Sequence, residues 1–267
     1  MRIALTGPDG NLGSAILDCC RHEIVRIDRQ DWDRIDEILS SDIDVVIHAA
    51  YDLKNRICNH PTQVLDSNIL CTARLLESMH HNNVKKIVFI STCAVYGEST
   101  NTNENTLCCP ISINGIVKLL SEKMLADYCA ANNITYKILR VFNMYGGDDN
   151  FSILSHLRNS LKNKTAFQLN NDGLSQRDFV HVSDVANIIL MLIDLNYTHT
   201  CLNIGTGHAT KICEIVKTVK DKYPELLIKN EYSSEAEYSR ANISRLKTIV
   251  NYNFIDLQKY IANNFVI

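Results

Sequence analysis

The chain has no basic block, no CxxC pair, no long apolar run and few glycines, and each shortage removes a class of protein. Its 27 lysines and arginines stand against 30 acidic residues without clustering. That balance leaves no electrostatic footprint for DNA or an anionic membrane, so neither nucleic acid nor a membrane is expected as a partner. Ten cysteines are scattered, with two adjacent pairs, Cys19-Cys20 and Cys108-Cys109, and none has zinc spacing. They read as reduced thiols, and no metal site is expected. The longest candidate span, Ala186 to Ile193, falls far short of the roughly 20 apolar residues a bilayer needs. No charged-then-apolar leader precedes the first strand, so a reducing cytoplasm is the expected compartment. The ten glycines all fall in turns at the motifs described below, which argues for placed backbone conformations and against long linkers. There is no internal repeat.

What is present is a chain of 267 residues with 46% apolar content, enough for a full core in one domain or one domain with a lobe. It is organised around its opening stretch: Arg2-Ile3-Ala4-Leu5-Thr6, then Gly7-Pro8-Asp9-Gly10-Asn11-Leu12-Gly13, then an apolar run towards Cys20. This reads as strand, glycine turn and helix. Three glycines let backbone approach a pyrophosphate, and the helix N-terminus points its amides at that anion. Glycines in such a turn can equally serve only to turn the chain. The run Glu23 to Asp28 favours the dinucleotide reading, because it is a second strand ending in a carboxylate where an adenosine ribose is met. Gly7, Gly10, Asn11, Leu12, Gly13 and Asp28 are therefore candidate cofactor contacts.

Further along, a polar helix is expected over about Asp33 to Leu39 and a buried strand over Asp44 to Ala50. A long helix opened by Pro61 runs to about His81, and a fourth strand over Lys86 to Ser91 leads into a polar loop reaching Pro110. A helix over about Ile113 to Asn132 and a strand over Thr135 to Val141 follow. Alternating strands and helices predict an α/β fold, a Rossmann-type doubly wound parallel sheet over residues 1–141. From Phe142 to the end a smaller C-terminal substrate-binding lobe is expected, part of 166–205 returning to the sheet. Within it, Gln176 to Val185 reads as the start of an apolar helix and Cys201 to Gly205 as a short strand.

Eight motifs in order carry a family likeness: Gly7-x-x-Gly10-x-x-Gly13, Ile47-His48-Ala49-Ala50, Asn68-Ile69, Ser91-Thr92 before Val95-Tyr96-Gly97, Lys118, Arg140-Val141-Phe142-Asn143, Arg177-Asp178-Phe179 and Asn203-Ile204-Gly205. Together the chain resembles the extended short-chain dehydrogenase/reductase family, whose members include nucleotide-sugar epimerases, dehydratases and ketoreductases. The resemblance implies that Ala49, Ala50 and Asn68 line the cofactor, that Lys118 bonds the nicotinamide ribose, and that Thr92 bonds the reacting sugar hydroxyl. It implies a nucleotide-diphosphate sugar as partner, held at Asn143 and Arg177, with Arg240 as a further phosphate contact; a guanidinium fork suits diphosphate oxygens. It also implies a homodimer through the helices 61–81 and 113–132. Structural readings stand beside these: Asn143 as a turn cap, Arg177 paired with Asp178, and Arg240 as a surface charge.

The chain departs from the family at Asn114. The family pairs a tyrosine with a lysine four residues on, and with Lys118 as that lysine the tyrosine position is Asn114. One helical turn separates them, so the lysine lowers the phenol's pKa from about 10 and lets it take a proton as hydride leaves. An amide has no such proton, so weak or lost turnover is expected, and a non-catalytic binding protein is the other reading. Cys93-Ala94 after Thr92 lacks the acidic pair of the family's 4,6-dehydratases, leaving 4-epimerisation or simple oxidoreduction. Asp28 favours NAD, while the adjacent Arg29 keeps NADP open. His48 and His181 read as core histidines, Tyr96 as structural and Cys93 as a packing residue.

Overall fold

A computed structural model describes residues 1–52, 61–99, 102–233 and 238–266. In chain order the strands are β1 (Arg2–Thr6), β2 (Glu23–Ile27), β3 (Val45–His48), β4 (Lys86–Thr92), β5 (Thr135–Val141), β6 (Asn143–Tyr145), β7 (Phe167–Asn170), β8 (Gln176–His181), β9 (Cys201–Ile204), β10 (Ala209–Lys211), β11 (Ile228–Glu231) and β12 (Tyr238–Ser239). The helices are α1 (Asn11–Cys19), α2 (Ile35–Ile38), α3 (Pro61–Val64), α4 (Cys71–His81), α5 (Ile113–Ala131), α6 (Ile153–Asn163), α7 (Val182–Asp194), α8 (Ile212–Lys222), α9 (Ser244–Lys247) and α10 (Leu257–Asn264).

Six strands form one parallel sheet in the order β2-β1-β3-β4-β5-β9. Its strands are apolar on both faces because helices cover both. Ile3, Leu5, Val45, Ile47, Val88 and Ile90 pack against α1 and α7. The alternate residues Ala4, Val46, Ile87 and Phe89 pack against α2, α4 and α5. A period of two on continuous apolar runs is what a sheet buried on both sides requires. β2 and β3 lie on opposite sides of β1, so the chain reverses its winding there. The glycine turn leaves β1 at this switch point, where open α/β sheets place their ligand crevice.

The lobe has a second sheet, β10-β8-β12 with β6 also on β8, and a separate β7–β11 pair. Tyr145, Leu154, Leu157, Ile215, Val219, Ile261 and Phe265 give it an apolar centre of its own. β9 pairs with β5, and Val185, Ile188 and Ile189 of α7 pack in the main core, so the segment 182–204 belongs to the Rossmann sheet.

Three local readings are corrected. The run from Gln176 begins as strand β8 and turns helical only at Val182, because β6, β10 and β12 supply backbone partners and His181 caps α7 by accepting from the Ser183 amide. The helix expected near Asp33 is a 3-10 segment, Arg29–Arg34, followed by α2. The helix from Pro61 passes through a π-helical turn, Leu65–Leu70, before α4. Residues 100 and 101 of the loop expected before Pro110 lie outside the described residues. Among the described residues no helix is long and apolar enough to cross a membrane.

Candidate active site

Gly7 turns the chain out of β1 with φ +69°, and a Cβ there would lie 2.8 Å from the Ala50 Cα. Only glycine allows that approach without strain. A Cβ on Gly13 would lie 2.1 Å from the Gly7 carbonyl oxygen, so α1 sits directly against the turn. Gly10 is the N-cap of α1 and offers no side-chain acceptor, which leaves the first amides of the helix facing the cleft. Asn11 lines the cleft while its side chain donates to the Gly146 carbonyl at 2.9 Å, tying the turn to the lobe.

The cleft has two halves that meet at Gly7, Gly10, Ala49 and Tyr51. One, about 740 Å³, is lined by Asp28, Arg29, Trp32 and Ala50. Asp28 follows β2, its amide donates to the Asp31 carboxylate at 2.8 Å, and its carboxylate lies 3.8 Å from Arg26 Nη2. Asn68 stands behind this wall: it accepts from the Asp52 amide at 2.8 Å and donates to the Val64 carbonyl at 3.1 Å. It lines neither half.

The other half, about 1070 Å³, runs from the glycine turn to the lobe. Thr92, Asn114 and Lys118 share one of its walls. Thr92 ends β4, and its Oγ1 accepts from the Ala94 amide at 3.2 Å. Ser112 caps α5, and Gly115 brings the helix so close to the Ala94 carbonyl that a Cβ would lie 2.4 Å from its oxygen. This contact fixes Asn114, in the first turn, beside Thr92's segment. Lys118, one turn on, is buried. Its Nζ donates to the Ile90 carbonyl at 2.7 Å, and burial pulls its pKa down to about 7 against the opposing charge of Glu122.

Asn143 and Arg177 also line this half. Asn143 donates to the Asp178 carbonyl at 2.9 Å. Asp178 is fully buried and does not face the cleft; it accepts from Thr206, Gly207 and Ala241 and holds those loops together. Arg240 is exposed, lies over the Tyr238 ring at 5.9 Å and lines neither half.

His48 bonds Thr6 at 2.7 Å and Thr72 at 3.0 Å, and burial drops its pKa to about 3, so it is a neutral core group. His181 caps α7 and packs on Tyr145 and Tyr260. The buried Tyr96 hydroxyl donates to Asn203 at 2.6 Å. Burial pushes the Cys93 thiol up to about 11, so it stays protonated against Ser239. Sequence reasoning missed Tyr51 and the row His156, Asn159 and Asn163 on the polar face of α6, all of which line the cleft. Their signal was available: the three α6 residues lie opposite the apolar stripe Leu154, Leu157 and Leu161.

With this geometry, the chain matches the family model for the NAD dependent epimerase/dehydratase family over residues 4–205. The chain belongs to that family. The epimerase/dehydratase chain is 36% identical over 208 residues to a putative UDP-glucose 4-epimerase of Methanocaldococcus jannaschii, covering 74% of this chain and 67% of the relative. It is 31% identical over 217 residues to a UDP-glucose 4-epimerase of Lactobacillus helveticus, covering 72% and 66%. Its fold is also that of a UDP-glucuronic acid 4-epimerase from Bacillus cereus solved with UDP-glucuronic acid and NAD: TM-score 0.87, 23% identity, 99% and 98% of the two chains covered. The residues present fit an NAD molecule: a cradle that a Cβ would fill at Gly7 and Gly13, uncapped amides on α1, and a carboxylate after β2.

Proposed function

We propose that the protein binds NAD and a nucleotide-diphosphate sugar and acts by hydride transfer at a sugar carbon, most naturally C4, as a 4-epimerase with weak turnover. The observation that carries this reading is the convergence of Thr92, Asn114 and Lys118 on one wall of a cleft floored by the glycine turn. Bound NAD supplies a reversible hydride acceptor. The chain's own groups do the rest. Uncapped amides of α1 hold pyrophosphate, Asp28 takes the adenosine ribose, and Lys118 takes the nicotinamide ribose. Thr92 orients the sugar hydroxyl, while Arg177 and Asn143 hold the substrate's diphosphate. The M. jannaschii and L. helveticus relatives support epimerisation. Asn114 stands where the family places its tyrosine, and an amide takes no proton there.

The test compares the native chain with Asn114→Tyr on UDP-sugars in the presence of NAD. A phenol beside Lys118 is expected to raise turnover about 100-fold or more. If neither protein turns over while both bind NAD, the chain is a binding protein. If neither binds NAD or NADP, the whole reading fails.

A homodimer through the helices 61–81 and 113–132 belongs to the same proposal. Leu65, Leu70, Ile116 and Leu120 are 46–49% exposed on those helices, an apolar face open to a second copy. Light scattering that gives a monomer mass at working concentration rejects this part alone. The nine described cysteines are free thiols, which supports a reducing cytoplasm.

A further inference from the structure

Asn11 opens α1 directly after Gly10, where the two halves of the cleft meet. Its main-chain amide is one of the uncapped set that faces the cofactor position, while its side chain reaches the lobe. Nδ2 donates to the Gly146 carbonyl at 2.9 Å, across 135 positions of chain. A carbonyl only accepts, so the amide nitrogen is the end turned to it. The Gly146-Gly147 turn is shaped around this side chain. Both glycines have positive φ, +89° and +66°, and a Cβ on Gly147 would lie 2.4 Å from Asn11 Oδ1.

From that turn the contacts run on into the substrate half. Gly146 directly follows β6, which carries Asn143. The Gly146 amide donates to Oδ2 of the buried Asp149 at 3.2 Å. The other oxygen of Asp149 accepts from the Phe151 and Ser152 amides at 3.1 and 2.7 Å. Ser152 in turn caps α6, whose His156, Asn159 and Asn163 line the cleft.

We propose that Asn11 is a positioning residue that couples the two ligands. Pyrophosphate held on the α1 amides fixes Asn11, and Asn11 fixes the turn that sets β6 and the start of α6 for the nucleotide-sugar. This rests on the nucleotide-sugar reading above. Such coupling is reciprocal, so each ligand tightens the other by the same factor.

The test titrates UDP calorimetrically into the native chain, Asn11→Ala and Gly147→Ala, each without NADH and with saturating NADH. UDP carries the nucleoside and diphosphate without a reacting sugar. In the native chain NADH is expected to tighten UDP binding about five- to tenfold, within what one hydrogen bond supplies, and UDP to tighten NADH binding equally. Both variants should bring the factor below about twofold, whatever happens to either affinity alone. Gly147→Ala reaches the contact from the lobe side, because its Cβ drives Asn11 Oδ1 away. A merely structural role would lower thermal stability and leave the factor in place. A second measurement needs no variant and decides the matter where a variant fails to fold: hydrogen exchange over residues 146–153 of the native chain, with and without NADH and without UDP, read by peptide mass spectrometry. Exchange there is expected to slow at least about fivefold when NADH binds.

A native chain that binds the two ligands independently overturns the inference. So does an Asn11→Ala chain that keeps the native factor, or NADH protection confined to residues 7–20. Those results leave the nucleotide-sugar reading intact. A native chain that binds NADH and no UDP retires both.

Discussion

Arg140 donates to Glu122 through Nε at 3.1 Å and through Nη2 at 2.7 Å, in the interior and one helical turn from Lys118. The pair joins β5 to α5 behind the cleft wall that carries Lys118, with Ser91 also bonded to the carboxylate. Among the described residues, buried Arg140 Nη1 has no hydrogen-bond partner. The guanidinium therefore depends on Glu122. Glu122→Gln should destabilise the fold by about 3–5 kcal/mol, since it strands a buried charge. Urea unfolding measures this, and a loss below about 1 kcal/mol would show that the pair carries little.

His48 gives the fold an acid-sensitive element. Its pKa is about 3 in the folded chain and 6.5 when free. Between those values the unfolded chain binds more protons, so stability falls as pH drops through the window. At 1.36 kcal/mol per unit the full effect is about 4–5 kcal/mol. His48→Gln, compared with the native chain by urea unfolding from pH 7 to pH 4, should show a shallower loss. Equal slopes would place the acid sensitivity elsewhere.

Much of this was legible because each signal is local. The strand runs from Arg2, Asp44, Lys86 and Thr135 are apolar on both faces, which a doubly wound sheet demands, and the glycine turn is set by a positive φ at Gly7 and close contact at Gly13. Less legible was whatever depends on distant partners. The family resemblance implies a cofactor contact at Asn68, whereas its side chain bonds the Asp52 amide and the Val64 carbonyl within the wall. Arg240 lies over the Tyr238 ring and lines neither half of the cleft, a placement that depends on the tertiary fold. The strand at Gln176 was hidden because its partners β6, β10 and β12 are remote in sequence. Tyr51 follows a recognised motif by one residue, and only the fold brings its ring to Lys118.

Gly7→Ala tests the cradle. The added Cβ would meet backbone of Ala50 at 2.8 Å at a φ of +69°, a conformation that costs an L-residue about 1–2 kcal/mol before the contact is counted. Relief of that contact moves the turn away from the pyrophosphate position. The expected result is NADH binding weakened at least about tenfold, with thermal unfolding lowered as well. A variant that binds NADH as the native chain does would detach the turn from cofactor binding.

Under the proposed function, Asp28 is the residue expected to choose between the two nicotinamide cofactors. Its carboxylate follows β2 and lines the smaller half of the cleft with Arg29, and Arg26 Nη2 is 3.8 Å away. A carboxylate accepts from a ribose 2′-hydroxyl and repels a 2′-phosphate. Asp28→Ser removes both effects and leaves the two arginines beside the pocket. A hydrogen bond to a charged group is worth about 1.5–3 kcal/mol, so NADH affinity should fall about 10- to 100-fold while NADPH affinity rises. Fluorescence titration with each cofactor reads both terms separately. An equal loss for the two would mean that Asp28 supports the wall of the pocket without reading the ribose.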